Sequence, residues 1–251
     1  MQKHRLESEE IYGFDPKDLS IRQEFALLAR MLHRAGYNDG IAGHMSYKLD
    51  DGTLLVNPRE LAWDELRACD VMHVTETGEV ISGNWSVSPA VELHYVLHAK
   101  RDVKLAVHNH PVWSTVWSAL GAAPPVYDQI SAFMPQFIAF YPDYEGDVID
   151  PEIAEKNVDA MGHEHVAILA NHGVFVHADN FEMAHMRCVA LEHRAKLAWQ
   201  VEALATRQSQ AMDVNAAQGL SSLIEDQLHG WPGFYAAMIR RELRQDQSVL
   251  D

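Results

Sequence analysis

The sequence predicts an α/β domain with a mainly antiparallel central sheet, on three observations. Two pairs of short β-prone runs are each joined by a glycine turn: residues 47–49 with 53–56 across Asp50-Asp51-Gly52, and 71–75 with 79–82 across Glu76-Thr77-Gly78. That is the pattern of hairpins, not of a Rossmann-type βαβ series. Strong helix starts interleave with these strands. A continuous apolar run, residues 103–107, lies between two helical segments and reads as a buried strand.

The elements follow in order. Residues 1–18 are polar and mixed, an arm over the surface or over a neighbouring subunit. The first helix opens at Ser20 with Gln23 three residues on, a capping box, and carries the stripe Phe25, Leu28, Ala29 and Leu32. Gly36 ends it. Gly40 and Gly43 allow close backbone approach around His44. After the first hairpin, Asn57-Pro58 stops the strand, and residues 64–70 form a short helical turn. Ser88-Pro89 places an N-cap and an N1 proline at the start of a helix that reaches about Lys100 and holds Glu92 in its first turn.

The central strand and a helix over 112–120 come next, then a Gly/Pro break at 121–125. Residues 126–146 are rich in aromatics and weakly periodic, as in a site wall or subunit contact. Asp150-Pro151 begins another helix, and 166–176 form a third hairpin. Asp179 is expected to cap a long helix over 181–205, and a polar link leads to a helical tail near 234–243. The chain divides into the arm (1–18), one domain (19–206) and a C-terminal helical extension (207–251).

Composition bounds the function. At 47% hydrophobic and 22% charged over 251 residues, the chain is of ordinary globular kind. The net charge of −16 disfavours nucleic acid and anionic membranes as partners. Two isolated cysteines, Cys69 and Cys188, give neither a zinc ribbon nor a disulfide framework, and no signal peptide is apparent, so a cytoplasmic location is expected.

The chemistry centres on His108-Asn109-His110. Strand periodicity turns both imidazoles to one face, and neutral imidazole suits a divalent cation. H-x-H alone says little in a chain with 15 histidines. Its position at a strand end gives it weight, with His172 in Asn171-His172-Gly173 as third ligand and Glu92 one element upstream. Glu92 is expected as fourth ligand, as proton-transferring acid/base, or as both in turn. His44 faces a ligand from its glycine turn, as a substrate contact or proton shuttle. A metal held there acts as a Lewis acid on a carbonyl or carboxylate oxygen and stabilises the enolate left when a carbon–carbon bond breaks. His94 and His98 share a helix face that nothing else marks, and are read as packed or solvated; His185 and His193 are read as structural.

Over about residues 20–205 the chain resembles the class II aldolase/adducin family. The features that carry this are Gly43-His44-Met45-Ser46, Val56-Asn57-Pro58, Glu92, His108-Asn109-His110 and Asn171-His172-Gly173. The resemblance implies a three-layer α/β/α sandwich and a homotetramer with sites near subunit interfaces. It also implies a divalent metal, zinc first with manganese, cobalt or iron as alternatives, on His108, His110 and His172, and a catalytic Glu92. It places Asn57, Gln129 and Tyr127 at the substrate.

The departures point away from sugar phosphates. The serines that hold phosphate elsewhere in the family are Ala90 and Val91, the Asn-Pro-x-Gly turn ends in Glu60, and the tyrosine position falls near Gln129, with Tyr127 close. The expected activity is therefore decarboxylation or retro-aldol cleavage of a small unphosphorylated oxo-, hydroxy- or aromatic carboxylic acid. A non-haem iron oxygenase and a non-catalytic adducin-like module remain alternatives.

Overall fold

A computed structural model describes residues 18–144, 146, 149–204, 209–231 and 233–251. The expected arm at 1–18 lies almost wholly outside these residues. Among them, eight strands form one sheet in the order β4-β3-β2-β1-β5-β8-β7-β6. The strands are β1 His44–Lys48, β2 Leu54–Val56, β3 Met72–Val74, β4 Val80–Ser82, β5 Leu105–Asn109, β6 Ala139–Tyr141, β7 Val166–Leu169 and β8 Gly173–Ala178. Every neighbouring pair is antiparallel except β6 with β7.

The helices are α1 Ile21–Arg34, α2 Glu92–Lys100, α3 Val112–Leu120, α4 Pro151–Ala160, α5 Phe181–Ala203, α6 Val214–Ser222 and α7 Phe234–Gln245. Strand alternation sorts them into layers. Met45, Leu105, Val107, Ile168, Val174 and Val176 pack against α1, α3, α5 and α7 on one face. Ala106, Ala167, Leu169 and Phe175 pack against α2 and α4 on the other. The α/β/α sandwich follows directly.

Local signals set the helix ends. Ser20 accepts from Gln23 N while Gln23 Oε1 accepts from Ser20 N, the reciprocal capping box. Gly36, at φ +109°, turns the chain out of α1. Asp150 caps α4 ahead of Pro151. The cap of α5 is Asn180, not Asp179: its side chain accepts from Met183 N at 2.8 Å.

The segment after 207 is more ordered than a link and one helix. It contains α6, and α7 returns onto α1, where Arg34 makes a two-pronged ion pair with the buried Glu242 and Arg30 reaches Asp246. Tyr235, Ile239, Leu243 and Val249 join the main core. Among the described residues no helix is long and apolar enough to cross a membrane.

Candidate active site

Three adjacent strand ends build the site. His44 opens β1 and lies directly opposite His108 of β5 in the ladder. β5 ends at Asn109, so His110 is the first residue beyond it. His172 occupies the turn between β7 and β8. That turn needs its particular residues. Asn171 takes φ +53°, which asparagine tolerates better than most. At Gly173 a Cβ would meet Asn109 O at 2.5 Å and His110 Cδ2 at 2.6 Å, so only glycine lets β8 pass the His110 ring. Gly43 is constrained in the same way: a Cβ there would lie 2.0 Å from Asn109 Nδ2.

His108, His110 and His172 bring their ligand nitrogens within 4.8 Å of one another. His108 donates Nδ1–H to Val174 O at 2.9 Å, and His110 bonds through Nδ1 to the Asp39 carboxylate. In neutral rings this leaves both Nε2 atoms bare, and they stand 3.1 Å apart. Two lone pairs at that separation repel unless a cation lies between them. Tetrahedral zinc with nitrogens at about 2.0–2.1 Å sets them roughly 3.3 Å apart. The donor set therefore fits a divalent metal, with Asp39 as the carboxylate that orients His110. Asp39 had no motif to mark it. Burial opposes its ionisation, but the hydrogen bond from His110 prevails and holds its pKa below the ordinary value.

The triad lines one side of a cavity of ≈ 290 Å³, shared with Ile41, Ala42, His44, Arg59, Ser88, Ala90 and Leu93. Arg59, which the sequence reading passed over, is the cation among these lining residues. Its place is set by a zipper between two loops: Arg59 N donates to Ser86 O at 2.9 Å, and the Glu60 carboxylate accepts from Ser86 N and Oγ. Glu60 thus closes the turn where the resemblance led one to expect glycine. His44 is buried, and burial with the neighbouring His110 and His172 pushes its pKa down to about 3.

Four of the residues expected at the site stand apart from the triad and the cavity lining. Glu92, expected as fourth ligand or acid/base, stands outside the cluster of ligand nitrogens and outside the cavity lining of this chain. Pro89–Val91 forms a 3-10 turn before α2, and the inward places go to Ala90, Val91 and Leu93. Partial burial raises the Glu92 pKa. Asn57 does not face the cavity. It is buried, accepts from Met45 N at 2.6 Å and donates to Gly43 O and Pro58 O at 3.2 Å, and so fastens the turn that carries His44.

Tyr127 lies over α5, its hydroxyl against Glu202 and Ser209, and Gln129 is exposed; neither lines this chain's cavity. The intervening Asp128 holds that segment down by accepting from His193. The tyrosine whose ring approaches the triad is Tyr144, 6.3 Å from His172 between centroids. His94 and His98 are packed, as expected, but hydrogen-bonded in line with His44.

The chain is similar to several known proteins. The 3-oxo-tetronate 4-phosphate decarboxylase of Escherichia coli O6:H1 is 30% identical over 73% of this chain and 88% of its own length. The 3,4-dihydroxyphthalate decarboxylase of Arthrobacter keyseri is 28% identical over 72% of this chain and 78% of its own. The crystal structure of an aldolase II superfamily protein from Pseudomonas syringae superposes with a TM-score of 0.81 at 23% identity, covering 95% of this chain and 98% of that one. With relatives named as aldolases and decarboxylases, the chain is an enzyme of the lyase kind. Residues 23–199 match the Class II Aldolase and Adducin N-terminal domain, and the chain belongs to that family.

Proposed function

We propose that this enzyme is a metal-dependent carbon–carbon lyase acting on a small unphosphorylated oxo-, hydroxy- or aromatic carboxylic acid. The observation that carries the reading is the pair of bare imidazole nitrogens 3.1 Å apart, joined by His172 at a cavity that Arg59 flanks. A divalent cation, zinc by preference, held by His108, His110 and His172 supplies Lewis acidity to a carbonyl or carboxylate oxygen.

The protein's own groups do the rest. Arg59 counters the substrate carboxylate; a single guanidinium matches one carboxylate by a two-pronged contact. Ala90, a lining residue, offers a phosphate no hydrogen bond, and Val91 is buried in an apolar cluster. We assign proton transfer to Glu92, at the start of α2 beside the lining residue Leu93; desolvation already raises its pKa. Apolar Ile41 and Leu93 exclude water around the reacting carbon. A homotetramer in the cytoplasm completes the reading, and free Cys69 and Cys188 accord with it.

The test is metal analysis followed by a substrate panel. One zinc, manganese, cobalt or iron per chain is expected, lost in His108→Ala. The loaded enzyme should cleave oxo-, hydroxy- or aromatic acids with a kcat/KM above that for their phosphorylated counterparts. A preference for the phosphorylated compounds would overturn the substrate class. Oxygen consumed in step with turnover would replace the lyase by an oxygenase.

A further inference from the structure

Behind His44 runs a buried chain of hydrogen bonds that has only one consistent direction. It begins at a group that can only accept, the carbonyl of Val103, 3.2 Å from His98 Nδ1. His98 therefore carries its proton on Nδ1. Burial keeps the ring neutral, pushing its pKa down to about 4, and its Nε2 is bare. Ser46 Oγ, 2.7 Å from that nitrogen, spends its one proton there. It must then accept at its other contact, from His94 Nδ1, also at 2.7 Å. His94 Nε2 is bare in turn, and the partner it accepts from at 2.8 Å is His44 Nδ1.

The side chains involved are nearly free of solvent: His44 is 3% exposed, His98 4%, and Ser46 and His94 0%. Reversing any one bond would leave two donors or two bare acceptors facing each other. The alternation of β1 makes this possible. His44 and Ser46 share the sheet face that α2 covers, and His94 and His98, one turn apart on α2, meet them.

We infer that His44 presents an unprotonated Nε2 to the cavity as a fixed hydrogen-bond acceptor for a substrate hydroxyl. Ser46, His94 and His98 are positioning residues that hold it in that tautomer. The inference rests on reading this cavity as the active site, and it narrows the substrate class. His44 lies beside His108, with ring centroids 4.7 Å apart, so the hydroxyl it accepts from belongs next to the oxygen taken by the cation. A 2-hydroxy acid, an α-hydroxy ketone or an aromatic acid with a neighbouring phenol meets that demand. An acid with no such donor leaves a bare nitrogen buried against it, which is costly.

Two hydroxamates that chelate alike and differ by one hydroxyl, glycolohydroxamate and acetohydroxamate, make the test. The zinc-loaded wild type should bind glycolohydroxamate about tenfold more tightly, the worth of one well-placed hydrogen bond. His44→Phe and Ser46→Ala should lose that preference while acetohydroxamate affinity stays within about twofold. A chain that served only to fasten α2 to the sheet would leave the preference intact in Ser46→Ala. Neutron diffraction of the wild type adds a readout independent of folding in the variants: a proton on Nδ1 and none on Nε2 is expected at His44, His94 and His98. Equal affinity for the two hydroxamates in the wild type, or a proton on His44 Nε2, would overturn the inference. Binding of neither hydroxamate would count against the metal reading instead, and the proton positions would then decide the His44 assignment.

Discussion

At the scale of single residues, two side chains without a sequence motif carry the sharpest expectations. Asp39 orients His110, so Asp39→Asn should weaken zinc binding by about 10–100-fold, the usual cost of removing a carboxylate behind a ligating imidazole. Competition with a chromogenic chelator measures it; unchanged affinity would mean that Asp39 merely packs there. Arg59 lines the same cavity, its backbone bonded to Ser86 and its charge felt by the neighbouring Glu60. Arg59→Ala should raise KM for the acid by about tenfold with kcat within about twofold, since a contact made equally in ground and transition states affects binding alone. A fall in kcat at constant KM would instead place the guanidinium at the reacting centre. The triad was legible because strand periodicity and a strand-end context act on H-x-H directly. Asp39 and Arg59 were not, because each is brought in by a loop whose course depends on distant partners, Ser86 in the case of Arg59. The bonds of Asn57 were illegible for a related reason: an asparagine beside a functional turn can face a ligand or hold the turn, and its contacts to Met45 and Gly43 appear only in the fold.

At the scale of elements, helix starts with a side-chain cap were legible and quiet segments were not. Ser20, Ser88-Pro89 and Asp150-Pro151 announce α1, the turn into α2, and α4, because a cap is a local bond between near neighbours. β6 has only three residues and exists through its parallel pairing with β7, so no local pattern betrays it. α1 also carries a testable charge. Burial raises the pKa of Glu24 to about 7. Below its ordinary pKa the group is neutral in both folded and unfolded chains. As pH rises through about 7 it ionises in the folded chain too, and the full cost of desolvating the carboxylate is then borne. Glu24→Gln should therefore leave stability unchanged near pH 4 and raise it at pH 8. The gain should be about 1 kcal/mol once the group's considerable solvent exposure is allowed for. Urea melts at the two pH values measure this; a gain at pH 4 equal to that at pH 8 would show that charge is not the cause.

At the scale of the whole molecule, the distribution of uncovered apolar side chains bears on assembly. Val112, Leu120, Ile130, Phe137, Tyr144 and Ile149 are all exposed, Phe137 by 63%. They belong to the stretch that follows β5: Val112 comes two residues after His110, and the Tyr144 ring stands against His172. Where exposed apolar side chains adjoin in space, they mark an interaction surface. A neighbouring copy seated there would cover them and cap the cavity. It would also give Tyr127 and Gln129 a use that their own chain denies them, at the cavity next door. The expected assembly is a homotetramer, four times the 28.3 kDa chain mass by light scattering. Phe137→Asp should shift it to smaller species and lower kcat/KM by at least about tenfold, while circular dichroism stays that of the wild type. Tyr127→Phe, placed away from the chain's own triad, gives the finer reading. If neighbours complete each other's sites, it should depress kcat in the tetramer. Mixing it with inactive His108→Ala chains should then restore part of the activity, because in a mixed assembly an intact triad can sit beside an intact Tyr127. Full activity in a monomer, or no complementation on mixing, would confine the active site to one chain and leave Tyr144 as the tyrosine nearest the chemistry.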